Sequence, residues 1–220
     1  MIDWTRTDTV LLDMDGTLLD LHFDNAFWLE LVPRRYAQDR GISTESARAQ
    51  VEPMMHRVRG TLQWYCLDYW RERLDIDIVA LKRAHAHLIR FRPGAEAFLG
   101  ALKKAGKRAV LVTNAHHGSL GLKLERVPLR GYLDRVISSH DIGVAKEARA
   151  FWEAVEVLES FRRTRTVLLD DSAAVLETAR NFGLQGVYGI ARPDTTRRPL
   201  HPESSEFPLL EDLAAVAPRS

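Results

Sequence analysis

Four short apolar runs each stop at a polar residue: Val10 to Leu12 before Asp13, Ala109 to Val112 before Thr113, Val136 and Ile137 before Ser138, and Val167 to Leu169 before Asp170. Val187 to Ile190 reads as a fifth. Apolar runs of this length suit strands buried on both faces, and helical periodicity separates the later ones. The pattern predicts an α/β fold, a Rossmann-like parallel sheet with helices on both sides. Two helix ends are written plainly. Gly94 to Ala105 has apolar residues at helical spacing and stops at Gly106, and Ser172 is placed as the N-cap of a helix that Gly183 closes.

The stretch from about Leu21 to Arg92 carries no strand pattern, only helical periodicity interrupted near Pro33, Gly41 and Gly60. It predicts a helical-bundle cap, residues 21–92, inserted after the first strand of a core made of residues 1–20 and 93–220. Pro93 and Gly94 mark the return of the chain. The tail beyond Arg192 reads as loop with a short helix near Leu209 to Val216, and no internal repeat is present.

Composition changes this picture little. With 220 residues, 45% hydrophobic and 28% charged, the chain is an ordinary globular protein. A net charge of +1 offers no broad field for nucleic acid or a membrane surface, so any anion must be recognised locally. No apolar run approaches the roughly 20 residues of a membrane span, and the start, MIDWTRTDT, lacks a signal-peptide pattern. The single cysteine, Cys66, excludes an internal disulfide and a cluster of zinc thiolates. The expectation is a cytoplasmic enzyme or binding protein with a small-molecule partner.

The chemistry concentrates where the strands end. In VLLDMDGTLLD, Asp13 and Asp15 leave a strand end one residue apart and therefore in broadly the same direction. Two such carboxylates repel unless a cation or a shared proton compensates. Ligands of open α/β sheets bind outside the carboxyl ends of the strands. Asp13, Asp15, Thr113, Asn114, Lys146 in GVAKEAR, Asp170 and Asp171 should therefore surround one pocket. Its hard oxygen donors favour Mg2+ over zinc or copper. Taken singly, each residue has a plainer reading: turn-forming aspartates, a Thr113–Asn114 helix cap, a solvated Lys146, an Asp170–Asp171 pair at a helix start.

Together, DMDGTLLD, VLVTNAH, a lone lysine before the fourth strand and LLDDS resemble, in order and spacing, the four motifs of the haloacid dehalogenase superfamily. The resemblance implies that fold, with residues 21–92 as its helical cap. It implies Asp13 as the nucleophile that takes a phosphoryl group and Asp15 as general acid and base. Lys146 would bridge nucleophile and phosphate. The Thr113 hydroxyl and backbone amides including Asn114 and Gly16 would bind phosphoryl oxygens. Mg2+ would be held by Asp13, the Asp15 carbonyl and the DDS motif, with Asp171 direct and Asp170 direct or through water. Two positions depart from the common pattern: Glu147 stands where many relatives have proline, and Val175 where a second acid is frequent.

The stretches TLQWYCLDYW, TNAH and DDS are further similar to those of bacterial GMP/IMP nucleotidases within the superfamily. That likeness alone implies a 5'-nucleotidase acting on a purine nucleoside monophosphate. Alternatives are a phosphatase of another small ester such as a sugar phosphate or phosphoglycolate, a phosphomutase, and a non-catalytic binding module on the same fold. Dehalogenation is disfavoured because those relatives lack the second aspartate, here Asp15. A phosphonatase needs a cap lysine, and Lys82 is the only lysine between Leu21 and Arg92. Trp64, Tyr65 and Trp70 read as cap core or as a platform for a base. His85 and His87 are expected on a helix, pointing apart at the surface, and His116 and His117 either line a loop or touch substrate.

Overall fold

Residues 9–12 find their partners in two directions at once. In the computed structural model, which describes residues 2–218, β1 (Thr9–Leu12) lies between β2 (Arg108–Thr113) and β4 (Thr166–Leu169). β3 (Arg135–Ser138) extends the sheet beyond β2, and β5 (Gly186–Ile190) and β6 (Leu209–Leu210) extend it beyond β4. All pairings are parallel, in the order β3-β2-β1-β4-β5-β6.

The pleat sorts the side chains. Val10, Leu12, Ala109, Leu111, Val167 and Leu169 pack on one face with Phe98, Leu99 and Leu102 of α7 (Ala95–Lys104) and Leu120 and Leu122 of α8 (His117–Arg126). Leu11, Val110, Val112 and Leu168 pack on the other with Trp152 and Val155 of α10 (Arg149–Glu159) and Leu176 and Phe182 of α11 (Ala173–Phe182). Each fully buried side chain of this size contributes about 1.5–3 kcal/mol. A strand apolar on both faces therefore belongs at the centre of such a sandwich.

The tail differs from expectation. Leu209 and Leu210 form a sixth strand, not a helix, because the edge of β5 still offers unpaired backbone: Gly189 N–H donates to the Pro208 carbonyl (2.8 Å) and Ala191 N–H to that of Leu210 (3.0 Å). Of the helix expected at 209–216, a 3-10 turn at Ala214–Val216 remains.

Between β1 and β2 the described residues form helices: α1 (His22–Ala26), a π-helical turn (Phe27–Leu31), α2 (Val32–Arg40), α3 (Thr44–Val58), α4 (Leu62–Tyr65), α5 (Leu67–Leu74), α6 (Ile78–Ala84) and a 3-10 turn (Ala86–Leu88), before α7. Pro33 does not interrupt them; it sits in the first turn of α2, where a missing N–H costs nothing. The breaks fall at Gly41, whose φ of 64° closes α2, and around Gly60, between α3 and α4. Phe27, Val32, Tyr36, Val51, Trp70 and Leu74 give this segment a hydrophobic core of its own. Trp70 is buried in it and Trp64 packs against it, whereas Tyr65 points elsewhere.

The histidine expectation also changes. α6 ends at Ala84, so His85 and His87 do not share a helix. Their rings lie 6.3 Å apart, and half-buried His85 bonds the Leu81 carbonyl (2.9 Å). The chain leaves and re-enters the sheet domain through two bonded segments: Asp20 N–H donates to the Arg90 carbonyl (3.0 Å) and Arg92 N–H to that of Leu18 (2.9 Å). No helix among the described residues is long and apolar enough to cross a membrane.

Candidate active site

β1 and β4 are neighbours although the chain visits them far apart, so strand order reverses between them and their ends open a crevice. Asp13 follows β1, Asp170 and Asp171 follow β4, and Thr113 closes β2. Lys146 arrives from the loop between α9 (Ser139–Ile142) and α10. Each of the sequence-derived residues lies at this end of the sheet.

Lys146 is the centre of the arrangement. Its buried ammonium donates to Asp13 Oδ1 (2.5 Å), Asp170 Oδ2 (2.7 Å) and the Val112 carbonyl (3.2 Å), which uses all three of its donors. Burial alone would push its pKa down, but Asp13 and Asp170 outweigh that and raise it, so it stays charged. Its backbone N–H donates to Asn114 Oδ1 (3.0 Å), and its carbonyl accepts from the Trp152 indole (2.9 Å). A residue recognisable in sequence only by its spacing is thus anchored at both ends.

The aspartates divide the work. The second oxygen of Asp170 accepts from Ser172 N–H (2.9 Å); Ser172 is the N-cap residue of α11, as expected, but its hydroxyl makes no capping bond. Carboxylate oxygens of Asp13, Asp170 and Asp171 lie within 4.8 Å of one another. Burial pushes Asp13 up to about 6, with Lys146 working against it and Asp170 with it. Burial and the carboxylates of Asp13 and Asp170 push Asp171 well above the usual range. Three crowded carboxylates against one ammonium make a site that favours an added cation. An all-oxygen donor set beside Lys146 fits Mg2+.

Gly16 departs from its expected part. Its N–H donates to the Leu19 carbonyl (2.8 Å) inside the turn, so that amide is spent and does not face a phosphate. What the position demands is the absence of a side chain. Its φ is 88°, and a Cβ would stand 2.4 Å from Asp171 Oδ2. Thr113 is buried, and its hydroxyl accepts from Ala115 N–H (3.0 Å), which leaves the hydroxyl proton to donate. Neither Thr113 nor Asn114 caps α8; His116 does, through Nδ1 and Gly118 N–H (3.3 Å).

Two groups of site residues escaped the sequence reading. Glu147, noted only as a departure from proline, accepts from the Tyr65 hydroxyl (2.6 Å) and from the Asn114 amide (2.9 Å), and so joins the helical segment to the strand ends. The other is a chain of alternating charges. Asp15 Oδ1 lies 2.7 Å from Lys123 Nζ on α8. Lys123 also binds Asp24 on α1 (2.6 Å), and Asp24 binds Lys82 on α6 (2.7 Å). Both lysine side chains are only 2% exposed. A signal existed: Lys123 lies three residues after Leu120 and four before Val127, both buried, and so shares their apolar stripe. Burial pushes Asp15 up to about 6, Lys123 opposes this, and Asp24 and Asp13 add to it. Asp24 is held far below the carboxylate range, since Lys123 and Lys82 outweigh its burial.

Comparison with known proteins agrees with this geometry. The family model of the haloacid dehalogenase-like hydrolases matches residues 7–183. The GMP/IMP nucleotidase YrfG of Escherichia coli (strain K12) is 43% identical over 194 residues, 88% of this chain and 87% of the relative. The pyrimidine 5'-nucleotidase YjjG of the same organism is 30% identical over 117 residues, 51% of this chain and 52% of the relative. The crystal structure of an HAD phosphatase from Thermococcus onnurineus superposes with a TM-score of 0.79 at 21% identity, covering 96% of both chains, and speaks for the fold alone. The chain is therefore a phosphatase of the haloacid dehalogenase-like hydrolase family.

Proposed function

We propose that this enzyme is a Mg2+-dependent 5'-nucleotidase that hydrolyses purine nucleoside monophosphates through a phosphoryl group carried by Asp13. The observation that supports it most is the grip of Lys146 on one oxygen of Asp13 and one of Asp170. It fixes the Asp13 carboxylate and leaves its other oxygen free of the lysine.

That free oxygen attacks phosphorus, the bond to the 5'-oxygen breaks, and Asp15 gives its proton to the leaving alcohol. Asp15 then takes a proton from the water that attacks the phosphorus of the aspartyl-phosphate, which restores Asp13 and frees inorganic phosphate. Held up to about 6, Asp15 can serve in both directions near neutral pH. Lys146 and the Thr113 hydroxyl, with the Asn114 backbone amide, would meet the charge that develops on the phosphoryl oxygens. Asp13, the Asp15 carbonyl and Asp171 would hold Mg2+. Asp170, whose oxygens are taken by Lys146 and Ser172, would contribute to that site through water. When bound, Mg2+ supplies positive charge that offsets the carboxylates and the dianionic substrate.

We assign residues 21–92 to a cap that closes over this chemistry, reached through the paired 18–20 and 90–92 segments. Purine specificity rests on the likeness to the GMP/IMP nucleotidase. The test is a substrate panel with Mg2+: GMP and IMP against pyrimidine nucleotides, sugar phosphates and phosphoglycolate. Preference for the purines is expected, and equal rates would overturn the assignment. Asp13→Asn should abolish turnover and the phosphoryl adduct that acid-quenched wild type carries on the Asp13 peptide; an adduct elsewhere would discard the mechanism.

A further inference from the structure

Beside the carboxylate pocket lies a second group of donors of different chemistry. Cys66 precedes α5, His116 follows β2, and His140 lies in α9 after β3; one ligand atom of each falls within 4.8 Å of the others. The two imidazoles stand perpendicular with centroids 4.9 Å apart. His140 Nε2 is buried and has no hydrogen-bond partner among the described residues, an exposed cost that a ligand would remove.

The surroundings resemble an outer coordination shell. Asp68 Oδ2 lies 3.4 Å from His116 Nε2, the carboxylate–imidazole pairing that orients a ligating ring through its other nitrogen. The weak Gly118 contact at Nδ1, 3.3 Å, is the one such a ligand would replace. Tyr69 N–H points at Cys66 Sγ (3.5 Å), a contact that a thiolate keeps while it binds a cation. Burial, with His116 and His117 close by, holds His140 down to about 4, so its ring is neutral near pH 7. No multi-thiolate cluster is possible with one cysteine, but one sulfur and two imidazoles suffice for a three-ligand site with an open position.

We propose that Cys66, His116 and His140 form a second metal site that takes Zn2+ or a similar borderline-soft divalent cation, distinct from the all-oxygen pocket for Mg2+. Softness separates the two, since thiolate and imidazole select zinc, cobalt or copper while carboxylates suit magnesium. The ligands come from both parts of the molecule: Cys66 from the helical segment, His116 and His140 from the sheet. A bound ion would therefore clasp the two together, next to Asn114 and its bond to Lys146.

Cobalt(II) is the probe. Metal-free protein titrated with Co2+ in excess Mg2+ should bind one equivalent, with a thiolate-to-cobalt charge-transfer band that Zn2+ displaces. Cys66→Ser should remove that band. His140→Gln should weaken Zn2+ binding by more than the roughly 10- to 100-fold that loss of an outer-shell partner costs. Asp171→Asn should leave both readouts unchanged. Metal-free melting curves establish that each variant is folded, and either of the first two alone suffices for the test. Absence of the band in wild type, its persistence in Cys66→Ser, or its loss in Asp171→Asn would overturn the site. Amide exchange across Leu67–Leu74 should slow with Zn2+ in wild type only; unchanged exchange in a zinc-loaded protein would overturn the clasp.

Discussion

Asp24→Asn removes the carboxylate that Lys82 binds and one of the two that Lys123 binds, and so probes the buried charge chain behind Asp15. Breaking a buried ion pair by deleting one partner costs about 3–5 kcal/mol, because the other charge stays desolvated. Lys123 keeps Asp15 at 2.7 Å, so Lys82 alone loses its directly bonded carboxylate, and the rings of Phe27 and Phe23, 4.4 and 4.7 Å from its ammonium, soften that loss. The lower end, about 3 kcal/mol, is expected. For a chain of this length each kcal/mol moves Tm by roughly 2–4 °C, giving a fall of about 6–12 °C. Adding Lys82→Met should recover most of it, since a buried pair replaced by apolar groups is close to neutral. Kinetics should move as well. Asp24 raises the Asp15 pKa and competes for Lys123, so its loss lowers that pKa, and the acid limb of kcat against pH shifts to lower pH. Thermal melts and pH–rate profiles of the two variants measure both effects. A single variant within about 1 kcal/mol of wild type, no recovery in the double variant, or a limb moving to higher pH would refute the reasoning.

Glu147→Ala should lower kcat/KM about tenfold or more by releasing Tyr65 and Asn114, whose bonds to a charged acceptor are worth about 1.5–3 kcal/mol each; Tyr65→Phe should reproduce part of the loss and be non-additive with it in a double-mutant cycle. Gly16→Ala should raise the Mg2+ concentration needed for half-maximal rate, because its Cβ displaces the Asp171 carboxylate and strains a φ of 88°; an unchanged Mg2+ requirement would refute this. Without metal, the raised carboxyls of Asp13 and Asp15, both about 6, contribute stability that is full below about 3.8 and lost as pH rises through 6. Mg2+ should therefore raise Tm more at pH 8 than at pH 5, and equal shifts measured by scanning fluorimetry would contradict the assignment of the pocket.

The sheet was legible because its central strands are apolar on both faces, a pattern few other structures allow; Val10 to Leu12 and Val167 to Leu169 could hardly stand elsewhere. β6 was not, since two leucines beside Pro208 carry no period, and only the waiting edge of β5 makes them a strand. In the pocket, Asp13, Asp171 and Thr113 were visible because their spacing to strand ends is rigid. Lys123, Asp24 and Lys82 were hidden for the opposite reason. Each is an ordinary helical charge until the fold stacks three helices, and pairing across 99 and 58 residues of chain leaves no local trace.

The hidden residues share a direction. Tyr65 to Glu147, and Lys82 through Asp24 to Lys123, are two separate links from the helical segment, and they end on different parts of the pocket: Asn114 beside Lys146, and Asp15. A segment held by charges at one end and a neutral hydroxyl donor at the other responds unevenly to its surroundings. Salt screens exposed groups and barely reaches a lysine 2% exposed, whereas Tyr65 is only half-buried. For the cap proposed above, the Tyr65–Glu147 link is then the one expected to part first, and the buried charge chain the one expected to hold.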